Sequence, residues 1–259
     1  MGVIVSVSGQ KGGCGKSSIT VILASYLAYN RKKKVLVLDA DTYQKSLITC
    51  RQDDIDIIKM GKEAKETSNS IGDRALIDIY EAYVENKRNG IEPYPIIALP
   101  LKVDEILSAF EKYVDEYDVI LVDMPGSLDN KDYFKVARNF DVIFLPFSSD
   151  SFVFNSNYPF IRYMHDKYLG NEEKSRIKHI YWFWNRYDKS TRQSVYSAVS
   201  DLMKENLPNV ESLDNALGDT KAMSNQKMRN TMTTPIGQFA SYGNCENCMQ
   251  EMCDKILNL

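Results

Sequence analysis

The chain has 259 residues, 44% of them apolar, enough to bury the core of one large α/β domain, and residues 1–259 are read as that domain. A formal net charge of −3 excludes a surface that is basic throughout, so any nucleic-acid contact has to come from a local patch. No apolar run reaches the length that spans a bilayer.

Short apolar runs typical of buried parallel strands fall at 3–8, 35–39, 94–99, 118–123, 141–146 and 178–184. Between them, stretches of helical period predict helices over 17–30, 72–88, 103–116, 130–139, 151–168, 190–205 and 245–257. Strands alternating with helices predict an α/β fold, a doubly wound, mostly parallel sheet with helices on both faces. The basic run Arg31-Lys32-Lys33-Lys34 ends the first helix, where positive charge suits the helix dipole.

The first strand feeds Gly9-Gln10-Lys11-Gly12-Gly13-Cys14-Gly15-Lys16-Ser17-Ser18. Gly12, Gly13 and Gly15 free the backbone so that successive N–H groups, with that of Cys14, converge on phosphate oxygens at the positive end of the next helix. In this spacing Lys16 reaches the β- and γ-phosphates, the Ser17 hydroxyl ligates Mg²⁺, and Ser18 is placed at the α-phosphate. The strict phosphate-loop pattern asks for glycine where Gln10 stands. The run from Lys11 to Ser17 instead resembles the deviant Walker A motif, K-G-G-x-G-K-[ST], of the ParA/MinD family of ATPases. That resemblance implies a P-loop fold with ATP and Mg²⁺ as cofactors.

Asp39 and Asp41 end the second strand, whose C-terminal end lies beside the phosphate loop. The D-x-D resembles the family's switch I. The resemblance gives Asp41 the positioning of the attacking water and Asp39 a place near the metal's water shell. The plainer reading of such carboxylates is that they cap the following helix. Thr42-Tyr43-Gln44 stand where the family often has Pro-Gln-Gly.

The apolar strand that ends in Asp123 is a Walker B arrangement, a carboxylate that holds Mg²⁺ opposite the loop hydroxyl. Gly126, in a segment that resembles switch II, offers a backbone N–H to a γ-phosphate. Residues 140–147 resemble the family strand that leads to a helix near the dimer interface. Asn185 stands where relatives hydrogen-bond adenine, and an ordinary turn asparagine is the equal alternative.

Lys11 is one lysine more than nucleotide binding needs. In the ParA/MinD family that lysine contacts the phosphates bound by the other subunit, which implies a homodimer formed on ATP binding. The resemblance further implies slow hydrolysis stimulated by a partner protein, in partition or positioning of DNA, a mobile element or other cargo. Non-specific DNA is the expected ligand of the dimer, with Lys174, Arg176, Lys178, Arg186, Lys189, Arg192, Lys221, Lys227 and Arg229 as candidates. A merely solvated face explains them equally, because acidic residues are interspersed. The segment 219–233 reads as a loop or weak helix.

Cys245-x-x-Cys248, with Cys253 nearby, fits an iron–sulfur carrier that completes its ligand set across a dimer, or equally a closing helix with buried thiols. A MinD-like membrane helix would need basic residues opposite its apolar face, and the last eight residues have one lysine and one aspartate. No membrane contact is expected. With five cysteines and no cleavable leader, the expected location is the cytoplasm, on the nucleoid if DNA is bound.

Overall fold

Uncharged runs such as Val3–Val7 (β1), apolar but for Ser6, lose little by leaving water, so they belong in the middle of a covered sheet. The computed structural model describes residues 1–41, 47–67, 73–126, 130–218, 229–234 and 245–259. After β1 come helix α1 (Lys16–Ser25), β2 (Val35–Asp39), α2 (Leu47–Thr67), α3 (Arg74–Arg88), β3 (Ile96–Ala98), α4 (Val103–Tyr113) and β4 (Val119–Asp123). The second half adds α5 (Asn130–Ala137), β5 (Val142–Phe147), α6 (Ser151–Lys167), β6 (His179–Trp184), α7 (Gln193–Asn206), β7 (Glu211–Ser212) and α8 (Cys245–Leu257).

Among the described residues the strands form one seven-stranded sheet in the order β3-β2-β4-β1-β5-β6-β7, and every pairing is parallel. Register fixes the faces, because alternate residues point to opposite sides. Val5, Val37, Leu121 and Phe144 pack under α1 and α8, whereas Ile4, Leu38, Val122 and Leu145 pack under α4 to α7. Both faces are therefore covered, and the strands' carboxyl ends, with Asp39 and Asp123 in register, meet at one edge. Ligands in open α/β sheets bind at that edge.

Three features differ from the predicted elements. β3 is shorter than 94–99 because Pro95 has no N–H to donate and Pro100 stops the strand. β7 is a two-residue exposed edge strand without an apolar pattern. The helix α2 stands where no helix was expected, beside α3.

Helix α2 exposes most of its charged residues and buries only a narrow strip. At Gly61 a β-carbon would overlap the carbonyl oxygen of Leu76, so the two helices touch backbone to backbone. Ile57 and Ile58 pack with Ile79 and Met232. Asp54, buried, accepts from the Thr231 N–H at 2.8 Å and hydroxyl at 2.7 Å, which fastens the 229–234 segment to α2. Burial raises the pKa of Asp54, and these two bonds with Arg51 and Arg229 offset it.

Candidate functional site

β1 ends in a loop that wraps the start of α1. Gly13 (φ 76°) and Gly15 (φ 86°) adopt the left-handed conformation that glycine takes freely. Gly15 precedes α1 with no side-chain cap, so the first helical N–H groups stay available to an anion. Lys16 is buried, and its ammonium donates to the Lys11 carbonyl at 3.1 Å. Gly126 closes the loop from the β4 side: a β-carbon there would lie 2.9 Å from the Lys16 Nζ and 3.2 Å from the Gly12 nitrogen.

Ser17, on the first turn of α1, acts on the Asp123 carboxyl at the end of β4 and draws its pKa down. Asp123 is 1% exposed, and its Oδ1 is buried without a hydrogen-bond partner. Burial pushes its pKa up to about 7, the charges of Asp39 and Asp41 add to this, and Ser17 and Lys16 oppose it. A carboxyl forced to stay partly neutral, with an orphaned oxygen beside a serine hydroxyl, suits a divalent cation, and the glycine cradle suits a triphosphate.

Asp39 is differently employed. Its Oδ2 accepts from the Leu47 N–H at 2.7 Å and its Oδ1 from the Asp41 N–H at 3.2 Å, so it caps α2 and shapes the turn that carries Asp41. Asp39, placed by sequence near the metal's water shell, thus caps α2. Asp41 is half-buried at this edge, and Thr42, Tyr43 and Gln44 lie outside the described residues.

Lys11 lies at the rim. Its ammonium pairs with Asp150 at 3.0 Å and sits 5.1 Å from the Phe152 ring centre, and this pairing lowers the pKa of Asp150. Phe152, 72% exposed, stands on the first turn of α6 beside a cavity of about 250 Å³ lined by Lys11, Gly13, Ser148, Asp150 and Asn185.

Asn157, which sequence reasoning passed over, and Arg186, read there only as a DNA candidate, hold the loop. Asn157, wholly buried in α6, accepts from the Gln10 N–H at 3.0 Å and donates to the Pro146 carbonyl at 2.9 Å. Its only signal was an amide on the apolar face of a helix. Arg186 donates to the Gly13 carbonyl at 2.7 Å, and the Asn185 amide donates to the Cys14 carbonyl at 2.8 Å.

The basic candidates do not form one patch. Lys174 and Lys178 precede β6 and Arg186, Lys189 and Arg192 follow it, so they sit at opposite ends of a six-residue strand. Arg176 is spent on Asp141 at 2.9 Å. Arg229 lies near Asp54, while Lys221, Lys227 and most of 219–233 fall outside the described residues.

The cysteines of α8 face inward. Cys245, Cys248 and Cys253 are buried among Tyr26, Met249 and Met252, and burial raises all three thiols, Cys245 and Cys253 to about 12. Among the described residues no cluster of three or more His, Cys, Asp or Glu could hold a metal. The apolar face of α8 is likewise consumed by the sheet, and no described helix is long and apolar enough to cross a membrane.

A parallel sheet with a glycine loop at its carboxyl edge, a buried lysine, and a serine facing a strand-end aspartate defines a P-loop nucleotide-binding protein. Residues 5–231 match the CobQ/CobB/MinD/ParA nucleotide binding domain, and the chain belongs to that family. It is 29% identical to the sporulation initiation inhibitor protein Soj of Bacillus subtilis over 142 residues, 49% of this chain and 51% of Soj. The chain spans about half the length of the curated relatives it matches. Its fold is similar to that of the MinD cell division protein of Aquifex aeolicus (TM-score 0.60, 19% identity, 100% and 98% of the two chains). It is also similar to pNOB8 ParA bound to nonspecific DNA (TM-score 0.55, 15% identity, 100% and 98%).

Proposed function

We propose that the chain is a magnesium-dependent ATPase that dimerises on binding ATP and separates after hydrolysis, a ParA-type switch for partition or positioning of DNA or another cargo. The observation that carries this reading is the pair of lysines on one loop, Lys16 buried within it and Lys11 half-buried at its rim. A nucleotide site needs the first; the second, held at the rim by Asp150, is left over to serve a neighbour.

Each group then has a task. The N–H groups from Gly12 to Ser18, with Cys14 and Gly15 between, and the Lys16 ammonium bind the phosphates, while the Gly126 N–H senses the γ-phosphate. Ser17 and Asp123 hold the metal, which when bound neutralises charge on the phosphoryl oxygens. Asp41 orients the attacking water on the turn that Asp39 shapes. Asn185, whose amide keeps one further N–H, faces the base. Lys11 leaves Asp150 to offset charge developing on the partner's nucleotide. Hydrolysis is slow until a partner protein completes this arrangement.

The ATP-bound dimer holds DNA through phosphate contacts, in the cytoplasm and on the nucleoid. The relative seen on nonspecific DNA supports this ligand. The deciding measurement is light scattering with phosphate release, for wild type and Lys11→Ala. Wild type should double in mass with ATP but not ADP, and the variant should lose both dimer and turnover. A variant that keeps both overturns the proposal.

A further inference from the structure

For the loop's N–H groups to converge on phosphate, its peptide planes must turn their carbonyls outward, and outward carbonyls need donors of their own. The Lys11 carbonyl is served from within the loop, by the Cys14 thiol at 3.2 Å and the Lys16 ammonium at 3.1 Å. The Gly13 and Cys14 carbonyls are served from outside, by Arg186 at 2.7 Å and Asn185 at 2.8 Å.

Those donors act as one unit. The Asn185 Oδ1 accepts from the Arg186 N–H at 2.9 Å, and the Asn185 N–H donates to the Phe147 carbonyl at 2.6 Å, which anchors the turn to β5. Arg186 has φ 55°, a left-handed conformation that a β-carbon disfavours. Strain of this kind persists where the surrounding contacts impose it. Here it lets two consecutive side chains aim at two consecutive carbonyls. Asn185 is also seated closely: a β-carbon on Gly15 would lie 3.3 Å from its Nδ2.

We propose that Asn185 and Arg186 are positioning residues that clamp the outer side of the phosphate loop and so preform its anion site, whatever base the nucleotide carries. The inference rests on the nucleotide-site reading above and adds the source of the loop's shape. It assigns Asn185 a task on the phosphate side, beyond any contact with adenine.

Base-independence makes the clamp testable. Binding of ATP, GTP and inorganic tripolyphosphate is measured by calorimetry for wild type, Arg186→Gly, Arg186→Lys and Asn185→Ala. Glycine adopts φ 55° without strain but removes the guanidinium, so Arg186→Gly should melt no lower than wild type yet bind all three ligands about tenfold more weakly. Arg186→Lys, which keeps a cationic donor, should recover part of that loss. Asn185→Ala should weaken all three together. The inference is overturned if Arg186→Gly binds tripolyphosphate like wild type, or if Asn185→Ala loses ATP alone and keeps tripolyphosphate. Wild-type protein that binds neither ATP nor tripolyphosphate would overturn the nucleotide reading as well, a result distinct from normal wild-type binding with unaltered variants.

Discussion

Asp123 shows how a single residue carries both a cost and a use. Its carboxyl has a pKa of about 7 in the folded chain and 3.8 as the unperturbed value, because burial disfavours the ion. Between those values the folded state holds a proton that the unfolded chain has released. Stability is therefore fully present below about pH 4 and is lost as pH rises through 7. Asp123→Asn, neutral at every pH, should be more stable than wild type by on the order of 2–4 kcal/mol at pH 8, and the gain should vanish toward pH 4. Urea titrations at several pH values test this, and a gain independent of pH would contradict it. Lys16, Ser17 and Asp123 were legible because their spacing within a loop and a strand is itself the signal. Asn157 and Arg186 were not, since each acts on a loop more than a hundred residues away in sequence, and hydrogen bonds over that distance leave no local pattern.

At the scale of elements, the central strands were readable because burial on both faces leaves them almost no polar positions. Helix α2 was not, because most of its surface is charged and its core contacts are few. Its pairing with α3 depends on Gly61, which lets the two backbones touch. Gly61→Ala would ordinarily improve an exposed helix by roughly 1 kcal/mol. Here the added methyl meets the Leu76 backbone, so a loss of about 1–3 kcal/mol in chemical denaturation is expected instead. Helix α8 was placed correctly but allowed two uses for its cysteines, and only packing separates them. With thiols raised and enclosed, a disulfide reagent should label the half-buried Cys50 first and reach Cys245, Cys248 and Cys253 only in denaturant. Rapid labelling of the α8 thiols in the folded chain would contradict their burial.

The whole molecule has two ends, and the nucleotide site occupies one. The proposed dimer, formed through that end, would change the surroundings of Lys189 and Arg192 far more than those of Lys174 and Lys178. The DNA surface of the proposed ATP-bound dimer would therefore belong with the first pair. Lys189→Glu with Arg192→Glu should lower ATP-dependent affinity for nonspecific duplex DNA at least tenfold and flatten its salt dependence, whereas the same change at Lys174 and Lys178 should leave both nearly unaltered. The opposite result in fluorescence anisotropy would move the surface to the other end. The strand order has a further consequence, in time rather than space. β1 is central and its neighbours are β4 and β5, with Ser6 bonded to a residue 116 positions later. At synthesis rates of about 5–20 residues per second, β1 waits roughly 6–23 s for its first partner strand. Throughout that interval the nascent chain carries an unpaired apolar strand, so the feature that centres the nucleotide loop in the finished sheet also makes the chain a client for chaperones while it is being made.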